Sequence, residues 1–226
     1  MKKLIILSIL ISSVFIGCKT DKKEPKISVS EDKELTVLEK IANANGFENW
    51  NDVESIKFTF NVDRDAEHFE RTWLWKTKSN DVTMMTRQDT ISYNRKSVDS
   101  TMAATDGGFV NDKFWLLAPY QLVWDQKSFT YKHTENVEAP ISKASMHKLT
   151  TVYDNDGGYT PGDAYDYYFG DDFIIKEWVY RKENQSEPNM TTSWEDYKEL
   201  KGLNIGMMHK RPDADFSLYF TGVVVE

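Results

Sequence analysis

From Val53 the chain alternates apolar and polar side chains: Ile56, Phe58, Phe60 and Val62 interleave with Ser55, Lys57, Thr59 and Asn61. A period of two sends the first set to one face of a strand and the second to the other, the pattern of an antiparallel strand with one buried face. Comparable segments recur at 68–76, 81–87, 90–95, 128–133, 146–153, 164–169, 173–181, 191–200, 203–210 and 215–225. Turn-forming residues separate them, among them Asp154-Asn155-Asp156-Gly157-Gly158, Gly170-Asp171-Asp172, Glu187-Pro188-Asn189 and Lys201-Gly202. A sheet of that many short strands curls or closes on itself. The expected fold class is α+β and mainly antiparallel β: a curved or half-open β-barrel of about 10–11 strands with one or more covering helices.

One stretch ahead of the strands has helical period. Leu35, Leu38, Ile41 and Ala42 fall on one face of residues 32–45. Ser30 is placed to cap this helix, with Glu31 and Asp32 in its first turn, and Gly46 stands where a left-handed residue ends it. Residues 112–125 fit neither period: Phe114 to Ala118 and Tyr120 to Trp124 are nearly all apolar around Pro119. Proline disfavours a long helix, so a short helical turn followed by a strand, plugging one end of the sheet, is expected there.

The N-terminus reads as an address. Lys2 and Lys3 precede a short apolar run, and Val14-Phe15-Ile16-Gly17-Cys18 ends it with a small residue before the chain's single cysteine. The run is shorter than the roughly 20 apolar residues of a membrane span. It resembles a bacterial lipobox, which implies cleavage before Cys18 and acylation of that residue with diacylglycerol and a palmitate-class chain. The alternative is an ordinary secretory signal with a chance cysteine. Residues 1–17 are then the signal peptide and 18–33 a lipidated tether, too charged and too poor in large apolar residues to order itself. An edge strand through Ile27 and Val29 is the competing reading of that tether. Residues 34–226 form a single β-rich domain. Lys19 after the cysteine, where an inner-membrane protein would carry Asp in the enterobacterial sorting scheme, points to the outer membrane of a bacterial envelope.

Leading helix, strand run and the segment Asn111-Asp112-Lys113-Phe114-Trp115-Leu116-Leu117-Ala118-Pro119-Tyr120 together resemble the LolA/LolB-like lipoprotein-carrier superfamily, and lipoproteins of Bacteroidetes with the same layout. That resemblance implies an unclosed barrel capped by helices, with an apolar cavity for acyl chains. It carries over no individual binding residue.

Catalytic chemistry has little support. His68, His133, His147 and His209 form no His-x-x-x-His or His-Glu-x-x-His pattern, and His147 and His209, in apparent strands, are read as surface or chance placement. Gly-x-Ser-x-Gly and glycine-rich phosphate loops are absent, and Cys18 is committed to lipid. No cofactor and no metal are expected. The Asp154 turn fails the EF-hand pattern, with Tyr159 and Tyr165 where Gly and Glu belong, so a β-turn is favoured; an irregular calcium site using Asp154, Asp156, Asp163 or Asp166 stays open. A formal charge of -8 argues against nucleic-acid binding.

The aromatic residues offer the most. Trp73 and Trp75 share a strand face, and Phe114, Trp115, Tyr120 and Trp124 surround Pro119. These six are the candidate ligand-binding residues, either lining an apolar pocket or filling a core. Tyr165, Tyr167, Tyr168 and Phe169 form a second run, read as strand packing or as a carbohydrate platform. The expected function is a non-enzymatic envelope lipoprotein, membrane-anchored through Cys18, that binds a lipid or other apolar ligand beneath a curved sheet. The alternatives are a structural or protein-interaction lipoprotein with a filled core, and an enzyme acting on glycans.

Overall fold

The computed structural model of the protein describes residues 34–156 and 159–226. The readings on Cys18, on the signal and tether of residues 1–33, and on Ser30 as a cap lie outside these residues.

Helix α1 spans Val37–Ala44. It starts five residues later than its apolar stripe predicts, because the cap is Thr36: the Thr36 hydroxyl accepts from the Glu39 N–H at 3.3 Å, while the Glu39 carboxylate accepts from the Thr36 N–H at 2.7 Å. This reciprocal box satisfies two N-terminal donors at once. Leu38, Ile41 and Ala42 are its buried face. Gly46 has φ +83°, and a Cβ there would meet the Gly202 carbonyl at 1.9 Å, so both backbone conformation and space demand glycine. A 3-10 turn at Phe47–Asp52 leads into the strands.

Twelve antiparallel strands follow: β1 (Ser55–Arg64), β2 (Glu67–Lys76), β3 (Asp81–Met85), β4 (Thr90–Asn94), β5 (Phe129–Glu138), β6 (Ser145–Tyr153), β7 (Ala164–Phe169), β8 (Ile175–Arg181), β9 (Met190–Ser193), β10 (Glu195–Leu200), β11 (Leu203–Lys210) and β12 (Phe216–Val225). They make a seven-stranded sheet, ordered β10-β11-β12-β1-β2-β3-β4, and a five-stranded sheet, ordered β5-β6-β7-β8-β9. The extra strand relative to the alternation arises at Trp194. Residues 191–200 look continuous, yet the buried Trp194 divides them, and the chain passes from one sheet to the other there. Strand β5 also runs five residues beyond its expected end, through a bulge between Thr134 and Val137 where Asn136 takes φ +55°. The domain's first strand pairs with its last, from Ile56 opposite Val225 to Arg64 opposite Phe216.

The largest departure is α2, a 22-residue helix over Ala103–Trp124. It replaces the short turn and strand expected for residues 112–125 and begins nine residues ahead of them. Pro119 does not end it. The chain leaves helical geometry at one residue, Leu117 (φ -126°, ψ 25°), and resumes, so the helix bends where the proline removes a hydrogen bond. Helix α2 joins β4 to β5 and therefore one sheet to the other. Its side chains pack on both sheets. Phe109 lies against Trp73 and Trp75, with centroids at 5.4 and 5.7 Å, and Trp115 lies against Trp178 and Trp194, at 4.5 and 6.0 Å. Among the described residues there are thus two α-helices, and the longer is the central element of the core. Among the described residues no helix is long and apolar enough to cross a membrane.

Candidate functional site: a cavity beneath the central helix

Two buried carboxylates fasten the first half of α2. Asp112 receives a two-pronged grip from Arg71 on β2, Nε to Oδ2 at 2.5 Å and Nη2 to Oδ1 at 2.7 Å, and the Trp73 indole N–H also donates to it at 2.8 Å. Arg71 passes so close that a Cβ on Gly108 would stand 2.8 Å from its guanidinium, which explains a glycine inside the helix. Asp106 accepts from Arg95 at 2.7 Å, from the Tyr93 hydroxyl at 2.9 Å and from the Tyr159 hydroxyl at 2.6 Å. Burial alone would raise the Asp106 pKa, but the hydrogen bonds from Arg95 and Tyr159 and the charge of Arg95 hold it below the usual carboxylate value.

The helix held in this way roofs a cavity of about 950 Å³, near the upper end of the range for small-molecule sites. The seven-stranded sheet contributes Phe60, Val62, Phe216 and Leu218 to its wall, and the five-stranded sheet contributes Tyr153, Tyr165, Trp178 and Tyr180. Strand register explains the grouping: Val62 lies opposite Leu218 and Tyr165 opposite Tyr180, so each pair presents adjacent side chains to one face. From α2 come Lys113, Phe114, Trp115, Gln121 and Trp124.

Of the six aromatic candidates, Phe114, Trp115 and Trp124 line this cavity, and Trp73, Trp75 and Tyr120 do not. Trp73 and Trp75 do share a face, but Phe109 occupies the space in front of them. Tyr120 sits in the joint between the helices, its hydroxyl donating to the Asn45 carbonyl at 2.5 Å and its ring 5.7 Å from Trp50. Tyr165 is the one member of the second aromatic run on the cavity wall; Tyr167, Tyr168 and Phe169 are buried elsewhere.

One charged residue on the wall is buried. Lys113 is 6% exposed, and its Nζ donates to Gln121 Oε1 at 2.9 Å and lies 5.1 Å from the Trp124 ring centroid. Burial pushes its pKa down to about 8, and Arg95 adds to the shift against the pull of Asp125 and Asp106. Gln121 in turn donates to the Asp125 carboxylate, which also accepts from the Tyr153 hydroxyl at 3.3 Å. A polar line therefore runs along one side of an otherwise largely apolar chamber. Alternation of apolar residues carries no signal for Lys113, since a lysine between Asp112 and Phe114 reads as solvated.

The aspartates of the Asp154 turn do not converge on a cation. Asp163 accepts from the Tyr180 hydroxyl and the Glu183 N–H, both at 2.9 Å, and Asp166 pairs with Thr150 and Arg181. Asp154 and Asp156 edge the cavity. Among the described residues they form no group of three metal-binding side chains.

No family model matches the chain, and no curated protein matches it. Among solved structures it is similar to a DUF1329-family protein from Desulfovibrio piger, at 9% identity over 84% of this chain and 92% of that one, with a TM-score of 0.47. It is similar to a LolA-superfamily protein from Nitrosomonas europaea, at 9% identity with the same coverages and a TM-score of 0.49. It is also similar to a domain from Vibrio parahaemolyticus described as outer-membrane lipoprotein-sorting, at 8% identity over 84% and 93% of the two chains, with a TM-score of 0.44.

Proposed function

We propose that the protein is a non-catalytic envelope lipoprotein, anchored through Cys18 in the outer membrane, that takes one amphiphile into the cavity beneath α2. The ligand has a long apolar chain and an anionic group. The observation that carries this reading is the pairing of a 950 Å³ largely apolar chamber with a buried ammonium on its wall. Partition drives binding, at about 25 cal/mol for each Å² of apolar surface withdrawn from water. Lys113 supplies selectivity. Its charge is costly where it stands, and an arriving carboxylate or phosphate offsets that cost and raises its pKa again. The indoles of Trp115 and Trp124 and the ring of Phe114 shape the chain's path and take part in no covalent step.

Mass spectrometry of the organic extract of the purified chain tests the proposal, with Leu218→Trp purified in parallel to fill the chamber from β12. A lipid is expected with the native chain and lost from the variant. In titrations with a fluorescent fatty acid, Lys113→Met is expected to weaken binding of the anionic probe and to spare its neutral methyl ester. A native chain that carries no lipid and binds neither probe sinks the proposal. Anchoring is tested separately: incorporation of a labelled palmitate analogue should vanish in Cys18→Ser.

A further inference from the structure

Away from the cavity, strands β5 and β6 bring His147 against two side chains of β5, His133 and Glu135. His133 and Glu135 lie two apart on β5 and so share a face. His133 is paired with Leu149 and Thr134 with Lys148, so the register brings His147 of β6 level with Glu135, where the bulge interrupts the ladder. The candidate ligand atoms of His133, Glu135 and His147 all lie within 4.8 Å of one another. His133 Nε2 and His147 Nδ1 face each other at 3.1 Å.

We propose that these residues form a binding site for a zinc-class divalent ion, held by His133 Nε2, His147 Nδ1 and the Glu135 carboxylate, with a fourth position open to solvent. Two imidazole nitrogens sharing a tetrahedral zinc at the usual bond length stand about 3.3 Å apart, so the observed pair needs to open by only about 0.2 Å. A mixed imidazole–carboxylate set suits zinc and its neighbours better than calcium or magnesium, which take oxygen ligands.

A second observation points the same way. The other nitrogen of His147, Nε2, lies 3.1 Å from Asp171 Oδ1. An ionised carboxylate only accepts, so Nε2 carries the proton of the neutral ring and Nδ1 presents a lone pair toward His133. A carboxylate behind a ligating histidine is the usual support of a metal site, fixing the tautomer and increasing ligand basicity. The rings are also held in place: His147 stacks on Phe169 at 5.3 Å with a 12° interplanar angle, and His133 stacks on the same ring at 5.8 Å with 22°. In the ion-free state His133 donates Nε2–H to His147. On binding it takes the Nδ1–H tautomer, and the ion replaces that hydrogen bond. None of the three residues lines the cavity beneath α2, so this proposal stands apart from the one for lipid.

The test is zinc titration of the full chain in competition with a chromogenic chelator, followed by cobalt(II) absorption to report coordination. One equivalent of zinc is expected, with visible cobalt bands of a four-coordinate site. His147→Asn and Glu135→Gln should weaken binding, Glu135→Gln at an exposed position that leaves the packed rings alone. Asp171→Asn should lower affinity about tenfold, as loss of a supporting carboxylate typically does. His68→Asn, at an exposed histidine bonded to Asp63, should change nothing. Absence of zinc binding to the native chain, or an affinity that none of the His147, Glu135 and Asp171 substitutions alters, overturns the proposal; the second result places the ion elsewhere.

Discussion

The two halves of α2 are held by different physics. Before Leu117 the helix is fixed by charge as well as by rings: besides the packing of Phe109 and Trp115, Asp106 and Asp112 are each buried against an arginine from the seven-stranded sheet or its exit turn, and the buried Lys113 ammonium donates to Gln121. After Leu117 it is fixed chiefly by rings. Tyr120 and Trp124 pack on Phe47 and Trp50, and the Trp50–Trp124 centroids are 4.6 Å apart. Apolar packing stabilises without demanding one exact arrangement, whereas a buried ion pair penalises every arrangement but one. The contrast teaches that the first half is positioned by buried charge in addition to its apolar cohesion, whereas the half beyond the kink relies chiefly on cohesion.

Four substitutions would break or sharpen this contrast, each read as a change in urea unfolding free energy. Asp112→Ala should have the largest effect, a loss of about 3–5 kcal/mol, because it strands Arg71 and the Trp73 N–H. If that loss falls below the loss at Tyr120, the contrast is wrong. Lys113→Met should act in the opposite sense and stabilise by about 3 kcal/mol at neutral pH, the value of a pKa lowered from 10.5 to about 8. A lysine whose folded pKa lies below its unfolded one makes stability rise with pH between those two values, since the unfolded chain there binds the extra proton. The native protein should therefore gain stability from pH 8 to pH 10.5, and the variant should lose that slope.

Asp106→Asn should cost about 2 kcal/mol, the range for a hydrogen bond to a charged group. Asp106 also sets an acid dependence. Its folded pKa lies below the usual carboxylate value, so its contribution is complete above that value and disappears as the pH falls through the folded pKa. The substitution should flatten acid unfolding in that window. Tyr120→Phe should have the smallest effect, about 1 kcal/mol for one hydrogen bond, because the ring keeps its packing. A loss several times larger would mean that the second half also depends on polar fastening.

The same contrast explains what could be read from the amino-acid order. Strands β1, β7 and β11 announce themselves by alternation or by dense aromatic runs between turns, and β7 and β11 end where that reading ends them. Helix α2 does not. It touches both sheets, so its apolar residues surround it and no single stripe forms. Gly107, Gly108 and Pro119 then look like breaks, although Gly108 makes room for Arg71 and Pro119 marks only a bend. Trp73 and Trp75 illustrate the limit at the site. Their shared face follows from parity, but whether that face meets a void or Phe109 depends on a helix the pattern conceals. His133 and His147 are illegible for a different reason. They stand fourteen positions apart, and only the pairing of β5 with β6 makes them neighbours.

The pairing of β1 with β12 has a temporal consequence. Ser55 and Glu226 exchange backbone hydrogen bonds, at 3.2 and 2.9 Å, so the seven-stranded sheet lacks a neighbour on one side of β1 until the last residues of the domain arrive. A polypeptide emerging from a ribosome must wait, open, for β12. Such long-range closure belongs to the slow class of folding topologies, milliseconds to seconds rather than microseconds. During that interval the exposed flank of β1, rich in phenylalanine, is the segment a chaperone would have most reason to shield.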